Sequence, residues 1–148
     1  MHVNMKPSEG IAVLAPINPA VYAAGSPPAT VWVKADQFHH FAALITAGTV
    51  TASTAVAVKL QQANTSGGGG AKDVPGKALA NLAPADSNKQ QIINLRPEEL
   101  DADSGFAWFG LVITVTGGTS AALSGAIVGV NPRLGSAAQA ASVSQIVY

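Results

Sequence analysis

Apolar positions recur with period two over much of the chain. The clearest run is residues 106–116. Phe106, Trp108, Gly110, Val112, Thr114 and Thr116 share one side, and Ala107, Phe109, Leu111, Ile113 and Val115 the other. Such alternation predicts a β-strand with one face in a core. Gly117 and Gly118 then predict a turn into residues 120–130 as the partner strand of a hairpin. In residues 55–61, Val56, Val58 and Leu60 alternate with Ala55, Ala57, Lys59 and Gln61, the pattern of a half-buried strand. Residues 29–33, 41–47 and 90–95 read as further short strands from their β-branched and aromatic content. Residues 77–82 fit a strand or a helical turn. A polar connection at 48–54 and the glycine run at 67–70 are loops, since consecutive glycines are costly to hold in a regular element.

Two stretches break the alternation. Arg96, Pro97, Glu98, Glu99, Leu100 and Asp101 predict one helical turn, with proline near a position whose amide needs no partner and acids at the positive end of the dipole. Gly105 ends it. Residues 1–28 hold Pro7, Pro16, Pro19, Pro27 and Pro28 among Ile11, Val13, Leu14, Ile17, Val21 and Tyr22. These prolines exclude a continuous helix and a central strand and predict an extended arm lying on a surface, with a loose leader as the alternative. Residues 134–148 are rich in alanine and serine and close on Val143, Ile146, Val147 and Tyr148. The expected fold is all-β: a single β-sandwich or a jelly-roll-like or barrel domain at 29–133, one short helical turn, and extended arms at 1–28 and 134–148. Under that division, a chain lacking residues 1–24 would keep its β core.

Composition narrows the function classes. The chain has 148 residues, 8 Lys+Arg against 8 Asp+Glu, and only 11% charged residues. Nucleic-acid binding needs clustered Lys and Arg, and disorder needs low hydrophobicity with high charge. With 48% hydrophobic residues, a folded, nearly neutral domain is expected. Residues 41–58 and 105–132 carry no charge, but each is interrupted by Thr, Ser and Gly. Neither is the run of about 20 predominantly apolar residues that a spanning helix wants, so no membrane association is expected. The first ten residues include Lys6, Pro7 and Glu9 and lack the apolar core of a signal peptide.

Candidate chemistry is sparse. There is no cysteine, which removes disulfides, thiolate metal sites and thiol nucleophiles. Gly70 to Lys77 imitates a phosphate-binding loop, but five residues separate Gly70 from Gly76 where the motif has four, and Ala78 stands where it has a hydroxyl. His39 and His40 are adjacent, so on a strand they point to opposite faces and cannot chelate one metal together. Asp101, Asp103 and Gly105 resemble a fragment of a calcium loop, yet Val112 occupies the position of its bidentate glutamate. No Gly-x-Ser-x-Gly turn occurs. Asn64, Thr65 and Ser66 form a glycosylation sequon, relevant only to a secreted eukaryotic protein. The expectation is no enzyme, no cofactor and no metal site. Almost uncharged and with apolar, proline-punctuated ends, the chain has the composition of one covered by neighbours in an assembly.

Three stretches carry a resemblance. One is residues 41–71, in which Val58, Lys59, Leu60, Gln61, Gln62 and Ala63 lead into the glycine loop. The second is Ile92, Ile93, Asn94, Leu95, Arg96, Pro97, Glu98, Glu99, Leu100 and Asp101, followed by Gly105 and Phe106. The third is Asn131, Pro132 and Arg133 with the small-residue tail. Together they resemble small virion proteins of tailed bacteriophages, of the head decoration (cement) type. The pattern more often has an aromatic residue after the Pro-Arg pair, where this chain has Leu134. The resemblance implies a β domain, made in the bacterial host cytoplasm, that binds the outside of an assembled head and bridges subunits of the major capsid protein. Such proteins commonly act as homotrimers. The residues expected at the capsid or subunit interface are Ile11, Leu14, Ile17, Val21 and Tyr22 in the first arm and Val143, Ile146, Val147 and Tyr148 in the second. Two rivals are a neck, tail or head-fibre component of the virion, and a non-catalytic carbohydrate-binding β-sandwich, which would present exposed aromatics such as Trp32 or Trp108.

Overall fold

The computed structural model describes residues 5–147. Among them, eight strands follow a helical turn at Pro7–Gly10: β1 Ile11–Ala23, β2 Trp32–Lys34, β3 Phe38–Val50, β4 Thr54–Ala63, β5 Lys72–Ala78, β6 Gln90–Leu95, β7 Trp108–Gly117 and β8 Ser120–Pro132. They form two four-stranded sheets with the orders β1-β8-β3-β6 and β2-β7-β4-β5. All the pairings are antiparallel, and only β4 and β5 are neighbours in both sequence and sheet. Eight antiparallel strands interleaved between two packed sheets are a jelly roll. The expected turn at 96–101 is a single 3-10 turn, Pro97–Glu99, in which the Glu99 carboxylate accepts the Arg96 N–H at 2.8 Å.

The alternation of the sequence sets the inner faces. In β4 the buried residues include Val56, Val58 and Leu60, and in β7 Phe109, Leu111, Ile113 and Val115, directly opposed in register as Val56–Val115 and Val58–Ile113. The facing sheet supplies Phe41, Ala43 and Ile45 from β3 and Leu123 and Ile127 from β8. The Phe41 and Phe109 rings meet edge-on across the two sheets, 4.8 Å between centroids, a geometry that aromatic pairs favour.

The predicted hairpin between β7 and β8 does not form. β7 lies between β2 and β4, and β8 lies in the other sheet between β1 and β3. The double glycine encodes a sharp reversal but not its destination: β7 pairs with β4 along its whole length and β8 with β1 and β3. Gly117 has φ +63° and Gly118 φ +38°, and a Cβ on Gly117 would strike the Ser53 carbonyl oxygen. The corner between β7 and β8 therefore packs against the one between β3 and β4. Thr51 joins them: its hydroxyl donates to the Ser120 carbonyl at 2.8 Å, accepts the Ser120 N–H at 3.1 Å and lies 2.7 Å from Thr54 Oγ1.

The first expected arm also differs. Residues 11–23 are β1, hydrogen-bonded along β8 from Ile11–Val130 to Ala23–Ser120, and Ala12, Ala15 and Ile17 belong to the core. The prolines are tolerated because β1 is an edge strand, where a missing N–H costs no ladder bond. Bulges between Val13 and Ala15 and between Ile17 and Ala20 adjoin Pro16 and Pro19. Removing residues 1–24 would thus remove a core strand, contrary to the expectation that the β core survives.

Candidate assembly surfaces

The strands of the two sheets differ in charge. β1, β3, β6 and β8 contain no Asp, Glu, Lys or Arg, whereas β2, β4 and β5 carry Lys34, Lys59, Lys72, Asp73 and Lys77. The uncharged sheet turns Pro16, Ala126, Leu44 and Ile92 outward as one row across all four strands, by the registers Pro16–Ala126, Leu44–Ala126 and Leu44–Ile92. Ile92 is 58% exposed, Leu44 39% and Val21 70%.

The charged side is organised by ion pairs. Lys59 and Asp73 lie 2.8 Å apart, Lys72 and Asp101 2.6 Å, and Lys77 and Glu99 2.9 Å. The Lys59 ammonium, followed by the Gln61 amide, holds the Asp73 carboxyl below its ordinary range. Lys77, then the Arg96 amide, does so for Glu99, and Lys72, then the Ser104 hydroxyl, for Asp101. Lys72 also stands 4.1 Å from the centroid of the Phe106 ring. The lysine of the imitation phosphate loop, Lys77, is thus on a strand and paired with Glu99. Of the acids of the calcium-like fragment, Asp101 precedes a 3-10 turn, Ala102–Ser104, and Asp103 lies within it. Buried Gln62 accepts the Asp101 N–H at 2.8 Å. The rings of His39 and His40 are 6.5 Å apart, and no group of three or more His, Asp or Glu among the described residues is placed to hold a metal ion.

The residues expected at an interface separate into two groups. Ile17 is a core residue, and Leu14 and Tyr22 pack against the core; the Tyr22 hydroxyl donates to the Asn18 carbonyl at 2.8 Å. Val21 is exposed. Ile11 lines a shallow groove together with Val143, Ile146 and Val147, so the structure brings the two ends of the chain together; Tyr148 lies outside the described residues. The tail is docked on the free edge of β1. Ala137 N–H donates to the Glu9 carbonyl at 2.8 Å and Ala140 N–H to the Val13 carbonyl at 2.9 Å. Gln139 acts as a peg: its Oε1 accepts the Val13 N–H at 3.0 Å, and its Nε2 donates to the carbonyls of Ile11 at 2.7 Å and Ser8 at 3.1 Å. An open edge invites strand addition, and here the tail occupies one half of it and the prolines interrupt the other. In the sequence, Gln139 is marked only by being a lone long polar side chain among alanines and serines. Leu44 and Ile92 are marked only by being apolar in the outward phase of a strand.

The aromatic residues are mostly used internally. Trp32 is half-buried: a Cβ on Gly68 would lie 2.6 Å from its indole, and one on Gly110 3.2 Å from it. The glycine loop is therefore packed on this ring. Phe38, Phe41 and Phe109 are buried.

No family model and no curated protein sequence matches the chain. Among solved structures, a chain from infectious bursal disease virus, Gx strain, is similar with TM-score 0.43 and 9% identity over 80% of this chain and 27% of that one. This chain thus spans about a quarter of that relative's length. A chain from broad bean stain virus gives TM-score 0.42 and 11% identity over 93% of this chain and 96% of that one. Likeness at this level carries no argument about the role of this chain, which rests on its own surfaces.

Proposed function

We propose that this chain is a structural virion protein of the decoration type, which binds the outside of a tailed-phage head as a homo-oligomer, bridges neighbouring shell subunits and catalyses nothing. The observation that carries the reading is the distribution of exposed apolar side chains. Val21 and Ile92 stand on a sheet without a single charged residue, and Leu134 and Val147 stand 90% and 86% exposed on the tail. Exposed apolar side chains on a face without charge suit a surface that an assembly covers. The jelly roll is an architecture used by viral capsid domains and by lectins alike, so it admits the reading without assigning it. The sequence resemblance at residues 41–71, 92–106 and 131–148 supports the phage decoration type in particular. A protein that binds only the assembled, expanded shell stabilises it by linkage, which is the physical content of cementing.

The rival lectin-like reading requires an open aromatic platform, and Trp32 is instead packed between Gly68 and Gly110. The deciding experiment is quantitative mass spectrometry of tail-free heads from the source virion. Abundance comparable to the major shell protein is expected. A few copies per particle would assign the chain to the neck or tail, and its absence would end the virion reading.

A further inference from the structure

We infer that the outer face of the uncharged sheet is a contact between two copies of this chain, packed face to face about a two-fold axis parallel to the strands. The inference rests on the assembly reading above, but concerns the isolated protein and is tested without a virion. The area of the sheet suits such a contact. The sheet has three strands of 13 residues and one of 6. At about 3.3 Å per residue and 4.8 Å between strands, it lays out roughly 700 Å². That is close to the roughly 800 Å² that each partner contributes to an interface of standard size.

Its lack of charge does so too. A two-fold contact places a surface against itself, so every charge on it is desolvated twice and must be met by an opposite charge from that same surface. The strands of this sheet carry none, while the opposite sheet carries Lys59, Lys72 and Lys77. Only the first is free of that penalty.

The relief of the sheet suits it as well. Exposed Leu44 and Ile92 form a cross-strand pair at the β3–β6 side. The β1–β8 side opposite them is low, with Pro16 against Ala126. A two-fold axis along the strands sets β6 of one copy over β1 of the other, so the Leu44–Ile92 ridge of each lies over the Pro16–Ala126 floor of its mate. Face-to-face sheets about 10 Å apart accept this interdigitation. The contact is isologous and closes as a dimer, not as the trimer implied by the resemblance.

The test is sedimentation equilibrium of the purified chain and of Ile92→Lys, with Thr114→Lys on the outer face of β7 as control. Both sites are exposed, so neither substitution disturbs the core, and circular dichroism and melting temperature verify that each variant is folded. Wild type and Thr114→Lys are expected to be dimers, with Ile92→Lys weakened on the order of a hundredfold or more because the symmetry brings in two unpaired ammonium groups. Since the chain lacks cysteine, a Pro16→Cys, Ile92→Cys variant provides a second reading: across sheets about 10 Å apart, too far for a disulfide, a bismaleimide of matching length should crosslink the two copies. A monomer at high concentration, a trimer, or a dimer indifferent to Ile92→Lys would each overturn the inference, whatever head abundance says of the virion reading.

Discussion

Replacing Gln139 by alanine isolates the attachment of the tail. The side chain makes three hydrogen bonds with backbone groups, to Val13 N–H, Ile11 carbonyl and Ser8 carbonyl. Each contributes a net 0.5–1.5 kcal/mol or about that, so their joint loss lies between about 1.5 and 4.5 kcal/mol. Release of the tail offsets part of this by restoring backbone freedom and letting water reach the vacated groups. A change of about 2–3 kcal/mol in the docking equilibrium follows, a factor of roughly 30–150. The natural assay is amide hydrogen exchange, because the docked tail protects identifiable donors: Ala137 bonded to Glu9 and Ala140 bonded to Val13. In Gln139→Ala these two amides should exchange faster by that factor, while amides of the β4–β7 ladder change less than about twofold, since local and global opening are separate events. Gln139→Glu should be as severe as alanine, because an oxygen then faces the carbonyls of Ile11 and Ser8. Unchanged exchange at Ala137 and Ala140 would refute the peg, and equal acceleration in every strand would show that the tail is part of the global cooperative unit.

Two further outcomes follow from the same structure. The folded-state carboxyls of Asp73, Glu99 and Asp101 are lowered by their lysines, so their contribution is complete above the ordinary carboxylate range near about 4 and is lost as pH falls through the lowered values; melting temperature should therefore drop between about pH 5 and pH 2, and Glu99→Gln should melt about 2–4 °C lower at pH 7 yet show a shallower acid fall, a surface pair being worth at most about 1 kcal/mol. Gly117→Ala and Gly76→Ala compare two glycines of similar positive φ, +63° and +72°, of which only Gly117 faces a backbone oxygen while Gly76 has nothing within 4 Å; chemical denaturation should give about 1–2 kcal/mol for Gly76→Ala and clearly more for Gly117→Ala, and equal losses would remove the packed corner from the account of the sheet crossing.

Local elements were readable because each depends on few neighbours. The alternation at Val56, Val58 and Leu60 and at Phe109, Leu111, Ile113 and Val115 identified the buried faces without reference to any partner. Gln90–Leu95 appears with the bounds that its composition indicated. Pairing was not readable in the same way. Period two is identical whether a strand's neighbour lies beside it in sequence or seventy residues away, so Gly117 and Gly118 suggested a hairpin where the chain crosses to the other sheet. The prolines of β1 exclude a central strand and so predict an arm, but an edge strand satisfies the same exclusion.

The candidate surface shows why connectivity matters more than any local motif here. In sequence the charge-free stretches, residues 41–58 and 105–132, are separated by segments bearing lysines and acids, and each looks like an isolated curiosity. The jelly-roll order takes β3 and β8 from those stretches, adds β1 and β6, and sets all four in one sheet. Four of the six sheet changes along the chain coincide with a change in charge content, those into and out of β7 being the exceptions, so Lys34, Lys59, Lys72, Asp73 and Lys77 collect on one side. A β7 free of charge joins the charged sheet as a central strand, where its partners β2 and β4 supply the lysines. The ion pairs then sit on one side, with Lys59 and Lys72 still partly open to water and Lys77 mostly covered, while the other side lacks the charges that would resist being covered. Local alternation alone would be satisfied by lysines on the outward positions of β3 or β8. Their absence there is a property of the surface and not of the fold, which is why the argument for assembly lies with Leu44, Ile92 and Ala126 and not with the core.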